Sequence, residues 1–297
     1  MKCFLWLLGL ALSMSAHANN YSIFCNQQPQ LTAEQKNRLL LFSGAIKGIL
    51  ESSGHEAVII SRAGLDLDRF HLRYSHAGIS LKESGNTPWS VRQLYYSCEA
   101  DKPQLYDQGL SGFLIDQDNR QIPFISMVFL PDSEEQALAR AEQDKSLVLQ
   151  LLGSTYSANA YAFSTTYQNC NQWVIEVLAY AMGNLPEEGD LRARAQQWLA
   201  NHHYEPTRIQ VNNPFVALAG LLMPLLHSTD HPPENRSQGL YQVSMPGSVE
   251  SFVHDHVPGA VRIEMCMNAN QIVVHRGWDL VADDCSPAPG DTTQPLL

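Results

Sequence analysis

The apolar pattern of the first sixty residues predicts one amphipathic helix followed by a buried strand. Apolar residues recur at helical spacing from Leu39 to Leu50. Thr32 and Gln35 have the spacing of a capping box, which marks the start of a helix. The segment 57–62 opens with four apolar residues, is short and predicts a buried strand.

The next segment predicts a β-hairpin. Residues 73–81 and 89–96 each have a strand pattern, and Ser-Gly-Asn at 84–86 is strong turn material between them. His76 lies on the first predicted strand and Gln93 on the second. The pattern therefore places these two polar side chains on neighbouring strands.

The second half of the chain begins with a strand and then predicts helices. The apolar run 122–130 predicts the strand, and Ser133 is a suitable N-cap for a helix over 134–152. A helix is predicted over 170–183, where it ends at a glycine, and a shorter one over 191–201. Cys170 stands at the start of the first of these two helices.

The N-terminus has the layout of a secretory signal peptide over residues 1–18. Lys2 precedes an apolar stretch over 4–14, and Ala-His-Ala at 16–18 is a small-x-small cleavage site. An uncleaved anchor is the alternative. No later segment has the continuous apolar length of a membrane span. We therefore expect a mature chain without a span, located in the periplasm or outside the cell.

The mature chain predicts a single domain over 19–285. From about residue 202 the composition turns to His, Pro and Asn, which we interpret as a C-terminal extension of that domain. For residues 286–297 we predict an unstructured, flexible tail.

Composition and charge narrow the class of protein. The chain is 44% hydrophobic and 16% charged, which is typical of a globular protein with a core. The formal net charge is -11 and the basic residues are scattered, which argues against nucleic acid as a partner. The sequence has no phosphate-binding glycine loop and no G-x-S-x-G motif, and we expect no cofactor.

Two clusters of side chains have the chemistry of metal ligands. They are His227, Asp230 and His231 in one segment and His254, Asp255 and His256 in another. A zinc site needs three or four ligands held by defined structure, whereas the prolines at 232–233 indicate an exposed loop. We therefore predict no metal site.

The cysteine count predicts a free thiol. The six cysteines are Cys3, Cys25, Cys98, Cys170, Cys266 and Cys285. Loss of Cys3 with the signal peptide leaves an odd number, so at least one thiol stays unpaired if disulfides form. Cys266 and Cys285 are close in sequence and are our first choice for a bridge, with Cys25 and Cys98 as the second. Sequence alone does not determine connectivity.

Cys170 has a position that favours nucleophilic chemistry. A cysteine at a helix N-terminus faces unpaired N–H groups and the positive end of the helix dipole, and both stabilise the thiolate. The amides of Asn169 and Asn171 flank it and offer hydrogen-bond donors for an oxyanion. A structural or disulfide-bonded cysteine is the alternative. Spacing alone does not select the partner base, because the chain has 11 histidines.

Two motifs carry a family resemblance. Residues 74–79, Tyr-Ser-His-Ala-Gly-Ile, resemble the "H-x-G-aliphatic" strand of the NlpC/P60-like papain superfamily in its circularly permuted branch. Residues 169–173, Asn-Cys-Asn-Gln-Trp, resemble the "N-C-x-x-aromatic" element of that branch. The chain is also similar to a bacterial family, domain of unknown function 2145 (DUF2145). That similarity covers the segments 61–64, 74–78, 89–94, 167–173 and 227–232.

The resemblance implies an α+β, papain-like fold in which a small antiparallel sheet packs on the helix that bears the cysteine. It implies Cys170 as nucleophile, His76 as base and Gln93 as the third residue that orients the imidazole. Gln has no charge with which to stabilise an imidazolium, which departs from the stronger third residues Asp and His. Asn169, Asn171 and Trp173 become the candidates for the oxyanion hole or the cleft.

The function expected from the resemblance is acyl hydrolysis or transfer through a cysteine thioester. Amide or ester bonds of envelope-located peptides, cell-wall fragments or lipid-like conjugates are the expected substrates. The alternative is a non-catalytic envelope binding protein that keeps the scaffold. The sequence selects neither a substrate nor an oligomeric state.

Overall fold

The computed structural model describes residues 31–115, 122–213 and 223–296. These residues form an α+β fold around an antiparallel sheet of eight strands. In chain order its strands are β1 (Ala57–Arg62), β2 (His76–Leu81), β3 (Ser90–Ser97), β4 (Lys102–Gln108), β5 (Phe124–Phe129), β8 (Val261–Met267), β9 (Gln271–Arg276) and β10 (Thr292–Pro295). Their order across the sheet is β10-β9-β8-β5-β1-β2-β3-β4. A separate pair is formed by β6 (Thr207–Gln210) and β7 (Leu240–Val243).

Helices cover the sheet on both faces. In chain order they are α1 (Ala33–Ser52), α2 (Leu110–Ile115), α3 (Asp132–Gln143), α4 (Lys145–Gln150), α5 (Cys170–Gly183), α6 (Leu191–Asn201), α7 (Pro233–Ser237) and α8 (Pro246–His256). One apolar cluster joins the sheet to α5 and includes Ile59 and Ile79. A second cluster joins it to α1 and α2 and includes Ile60 and Phe113. Because β1 is covered on both sides, all of its residues are buried, which explains its unbroken apolar run.

The predicted start of the first helix is confirmed. Gln35 donates its backbone N–H to Thr32 Oγ1 at 3.1 Å, and Thr32 donates its backbone N–H to Gln35 Oε1 at 2.8 Å. This reciprocal capping box satisfies N–H groups that a helix leaves unpaired, and an N-cap of this kind is worth about 1 kcal/mol.

The predicted hairpin is also confirmed. Strands β2 and β3 pair antiparallel, with Ile79 opposite Arg92 and Leu81 opposite Ser90. The first arm begins at His76, later than the pattern predicted. The backbone N–H of Ser75 donates to Arg62 O at 3.2 Å just before the strand begins.

The helix predicted over 134–152 is two helices. Helix α3 begins at Asp132, with Pro131 rather than Ser133 as its N-cap. It ends at Asp144, whose side chain accepts from the backbone N–H groups of Ser146 and Leu147 and so caps α4. A capping side chain inside a helical apolar pattern breaks the helix without disturbing the pattern.

The prediction of a small sheet with a C-terminal extension is wrong. Strand β8 pairs with β5 in the middle of the sheet, with Met265 opposite Ile125, and β9 pairs with β8. The last third of the chain therefore completes the central sheet. Its strands were missed because the strand that β8 joins lies far earlier in the chain, before several intervening helices.

The prediction of a flexible tail over 286–297 is wrong for β10, which pairs with β9 so that Thr292 lies opposite Val274. All of its residues are exposed, so it has no apolar signal. Leu296 adds a backbone bond to Asn270 O at 2.9 Å. Backbone pairing at a sheet edge holds this segment.

The predicted signal peptide, residues 1–18, lies outside the described residues. Over the ranges that are described, no helix has both the length and the apolar character needed to cross a membrane.

Candidate active site

The helix that carries Cys170 begins where the sequence predicts. Asn169 is its N-cap, with its side-chain oxygen accepting from Gln172 N at 2.7 Å. The other end of the same amide donates to Ser244 O at 3.2 Å. Cys170 is therefore the first helical residue of α5, and the segment before it is anchored to the chain that precedes α8.

A buried polar cluster holds the segment that leads into α5. Glu176, inside the apolar helix α5, accepts from Gln168 Nε2 at 2.6 Å and from Arg192 Nε at 2.8 Å. Arg192 also donates to the carbonyls of Thr165 and Tyr167 at 2.9 and 3.1 Å. Sequence reasoning missed this cluster. Its only sign is a glutamate within an otherwise apolar helix.

Asn171 joins the cysteine helix to the histidine strand. Its Oδ1 accepts from Ala77 N at 2.9 Å, and its Nδ2 donates to Ser75 O at 3.2 Å. Ala77 directly follows His76, and Asn171 directly follows Cys170. These two bonds therefore fix the N-terminus of α5 against the start of β2.

The three residues predicted for the oxyanion hole or the cleft are buried and make their hydrogen bonds within the fold. The amides of Asn169 and Asn171 are already hydrogen-bonded within the fold. Trp173 is fully buried, and its Nε1 lies 3.4 Å from Val148 O. The polar frame around Cys170 suggested the two amides and the family motif suggested the aromatic residue, yet contacts within the fold use all three.

His76 and Gln93 are brought together as the hairpin predicts. His76 Nε2 lies 2.7 Å from Gln93 Oε1, and Gln93 Nε2 donates to Gln108 Oε1 at 2.6 Å. Because an amide oxygen only accepts, His76 Nε2 carries the ring proton and Nδ1 holds the lone pair. The ring stacks on Tyr95 with centroids 4.7 Å apart. The imidazole is therefore held in the tautomer in which Nδ1 acts as a base.

His76 and Cys170 approach the start of β2 from different sides. Cys170 packs in the cluster between the sheet and α5, whereas the His76 ring lies 6.0 Å from Phe113, in the cluster on the other face. No hydrogen bond joins these two residues. The Cys170 thiol instead points at Asn171 Oδ1, 3.6 Å away.

Burial keeps both groups neutral at rest. Desolvation lowers the pKa of His76 to about 3; the positive charge of Arg62 acts in the same direction, and the Gln93 bond opposes it. Desolvation raises the pKa of Cys170 to about 11, while the charge of Arg62 and the backbone N–H groups of Asn171, Ala77 and Cys170 oppose the rise. The resting site holds a thiol and a neutral imidazole.

Arg62 is a further site residue that sequence reasoning did not single out. It is the last residue of β1, lies opposite His76 in the register, and is buried. Its Nη2 donates to the Tyr95 hydroxyl, and its guanidinium carbon lies 5.2 Å from the centre of the Phe113 ring. The sequence gives two signals: a charged residue at the end of an apolar run, and its place in the segment 61–64 that carries part of the family similarity.

The predicted bridge between Cys266 and Cys285 is confirmed. Cys98 is disulfide-bonded, and its predicted partner Cys25 lies outside the described residues. Within the described ranges, Cys170 is the one free cysteine. The odd cysteine count thus leads to the residue at the start of α5.

The residues of the first metal-like cluster anchor a loop. His231 Nε2 lies 2.8 Å from Asn159 O, Asp230 accepts from Tyr161 N at 2.8 Å, and His227 stacks on Tyr167. In the second cluster, His254 and Asp255 are exposed on α8. Where side chains are described, no group of three or more His, Cys, Asp or Glu residues is placed to hold a metal ion.

Comparison with known protein families gave one match. The model of a family described as "Uncharacterized protein conserved in bacteria (DUF2145)" matches residues 49–253, which is more than half of the chain. The match includes Arg62, His76, Gln93 and Cys170. Neither a curated protein nor a solved structure matched the chain.

Proposed function

This chain belongs to the DUF2145 family of bacterial proteins, and we propose that it is an exported cysteine hydrolase or acyltransferase. One observation carries the proposal. His76 Nε2 lies 2.7 Å from Gln93 Oε1, which leaves Nδ1 as the basic nitrogen. This histidine adjoins the N-terminus of a helix that begins with a free cysteine. These are the parts that a thiol nucleophile requires.

The proposed reaction has two steps. His76 Nδ1 takes the thiol proton as Cys170 Sγ bonds to the substrate carbonyl carbon, and the proton then passes to the leaving amine or alcohol as its bond to carbon breaks. Water or a second acceptor next attacks the thioester and releases the acyl group. Proton transfer belongs to the substrate-bound state, because catalytic hydrogen bonds often form only there.

The backbone supplies the donors for the oxyanion in this proposal. The N–H groups of Cys170 and Asn171 at the start of α5, and that of Ala77 on β2, favour negative charge at Cys170. An oxyanion that forms beside the sulfur lies within the same field. This arrangement replaces the side-chain amides that the sequence suggested.

We also propose that the fold is a circularly permuted relative of the papain-like NlpC/P60 superfamily. The chain order supports this: the histidine strand β2 comes first, the glutamine strand β3 second and the cysteine helix α5 last. Helix α5 packs against both strands through the cluster that contains Ala77, Leu94 and Val174.

A periplasmic or secreted location is part of the proposal. The signal-peptide pattern of residues 1–18 supports it, and the disulfide between Cys266 and Cys285 is compatible with an oxidising compartment. The proposed substrates are then molecules of the envelope: peptides, cell-wall fragments and lipid-like conjugates.

A non-catalytic envelope binding protein is the second candidate. The observation that favours it is the resting state of the site, in which Cys170 bonds to Asn171 and not to His76. A binding protein needs the cleft but no proton transfer between these groups.

Acylation by p-nitrophenyl acetate, followed by intact-mass spectrometry and peptide mapping, tests the proposal. We expect the wild type to gain one acetyl group on Cys170 and Cys170→Ala to gain none there. His76→Gln removes the base, so acetylation of Cys170 should slow by about 100-fold. His231→Gln removes another buried histidine, whose ring contacts Asn159 O, Tyr161 and Tyr241, and should keep the wild-type rate.

Two results would reject the enzyme. One is equal acetylation rates in wild type and His76→Gln, with thermal melting showing that both are folded. The other is a folded wild type whose Cys170 is never acetylated and reacts with iodoacetamide at neutral pH no faster than an ordinary exposed thiol. Either result leaves the binding protein as the better account.

A further inference from the structure

The guanidinium of Arg62 differs from every other buried guanidinium that the structure describes. Four arginines are buried, and three of them pair with carboxylates. Arg92 pairs with Asp107 at 2.7 Å, Arg192 with Glu176 at 2.8 Å and Arg262 with Glu250 at 2.8 Å. No described carboxylate pairs with Arg62, although only 4% of it is exposed.

The hydrogen bonds of Arg62 are also incomplete. Its Nη2 donates to the Tyr95 hydroxyl, while Nε is buried without a partner and Nη1 has no hydrogen-bond acceptor among the described residues. A buried charge that lacks a counter-ion destabilises a fold by several kcal/mol. Such a group persists where another molecule supplies the missing charge.

A glycine packs directly against Arg62. A Cβ on Gly64 would lie 2.9 Å from Arg62 Nη1 and 2.7 Å from Ser75 Oγ, so a side chain here would press on both. The backbone O of Ser75 accepts from Asn171 Nδ2 at 3.2 Å, which connects the surroundings of Arg62 to the start of α5. The positive charge of Arg62 also acts on the pKa of Cys170 and of His76, in the downward direction for each.

We propose that Arg62 binds a carboxylate of the substrate beside the bond that Cys170 attacks. This inference rests on the proposed function and narrows its substrate class to acyl compounds that carry a free carboxylate near the scissile bond, such as the C-terminal residue of a peptide. A guanidinium matches a carboxylate in charge and planar geometry. A phosphate dianion fits less well, because it brings two negative charges to a site with one cation. Among the described residues, only Arg62 lends positive charge to both Cys170 and His76.

Alkylation with two matched reagents tests the proposal without requiring turnover. Iodoacetate carries a carboxylate and iodoacetamide is its neutral counterpart. In both reactions Cys170 Sγ displaces iodide, forming one S–C bond as one C–I bond breaks. The measured quantity is the iodoacetate-to-iodoacetamide rate ratio at Cys170, divided by the same ratio for glutathione.

We expect this normalised ratio to be about tenfold or more above that of Arg62→Met, the range of a charge-assisted hydrogen bond. Arg62→Lys keeps the charge without the planar fork and should give an intermediate ratio. Arg276→Met removes an exposed charge on β9 and should give the wild-type ratio, which separates local binding from net charge. Acetate should protect Cys170 in the wild type better than inorganic phosphate does.

Four results would overturn the proposal: a wild-type ratio equal to that of glutathione, a ratio unchanged in Arg62→Met, no labelling of folded protein by either reagent, or stronger protection by phosphate. Failure of the proposed function is a separate outcome. A protein that prefers iodoacetate through Arg62 but never forms an acetyl thioester is a carboxylate-binding protein. A protein that acylates without this preference is an enzyme with a different substrate class.

Discussion

At the scale of single residues, the candidate site combines a neutral imidazole in a fixed tautomer with a thiol that is protonated at rest. Gln93 determines which nitrogen of His76 carries the proton, and burial sets the charge of both reactive groups. Neutral partners in a dry site avoid the energetic penalty of a buried ion pair. In the proposed mechanism, charge separation is then confined to the time when a substrate is bound.

The low pKa of His76 makes stability depend on pH. The low pKa keeps the ring neutral in the folded state down to about pH 3, whereas the unfolded chain protonates it near the ordinary histidine pKa of 6.5. The contribution of His76 is therefore complete above pH 6.5 and decreases as pH falls towards 3. In urea unfolding, the free-energy gap between wild type and His76→Gln should shrink from about pH 7 to about pH 4.5.

The same comparison from about pH 7 to about pH 8 is the control, because His76 is neutral in both states there. A gap that stays constant down to about pH 4.5 would show that the folded protein holds a protonated His76.

At the scale of elements, the site depends on how α5 begins. The N-cap of Asn169 and the bonds of Asn171 hold the helix N-terminus, and the Glu176 cluster holds the segment that precedes it. The sequence predicts the helix, its first residue and the hairpin, because these follow from local periodicity and capping. It does not predict the Glu176–Arg192 pair or the position of Arg62, because tertiary partners determine both.

Removing the cap of α5 should affect stability and thiol chemistry together. Asn169→Ala should lower the free energy of unfolding by about 1 kcal/mol or somewhat more, since its amide also bonds to Ser244 O. It should also change the rate at which iodoacetamide labels Cys170. Urea unfolding and mass spectrometry of the labelled protein measure the two effects.

Asp190→Ala is the matched control, because Asp190 caps α6 by accepting from Ala193 N at 3.0 Å. It should also lose about 1 kcal/mol but leave the labelling rate of Cys170 unchanged. Equal labelling rates in Asn169→Ala and wild type would show that the cap has no part in positioning the thiol.

At the scale of the whole molecule, the sheet is assembled from distant parts of the chain. Strand β5 lies between β1 and β8, and a disulfide between Cys266 and Cys285 closes the C-terminal segment. Sequence periodicity detects strands but does not give their partners. The predicted sheet was therefore too small, although every strand predicted for it exists.

Two truncations test how far the C-terminal strands are needed. A chain that ends at Ser286 lacks β10 but keeps β8, β9 and the disulfide, and it should fold with a modest loss of thermal stability. A chain that ends at His256 lacks β8 as well, so the apolar edge of β5 is exposed and a cooperative fold should be lost. Circular dichroism melting compares both with the full chain. Cooperative melting of the shorter chain would contradict the role given to β8.

The position of β8 also dictates when the sheet can form. Strand β5 is made well before its second neighbour, which becomes available only with residues 261–267. A domain whose central pairing is so non-local is expected to fold slowly and to keep β5 exposed to aggregation in the meantime. The nascent chain therefore stays incompletely folded until β8 has been made, and a chaperone has that long an interval in which to bind it.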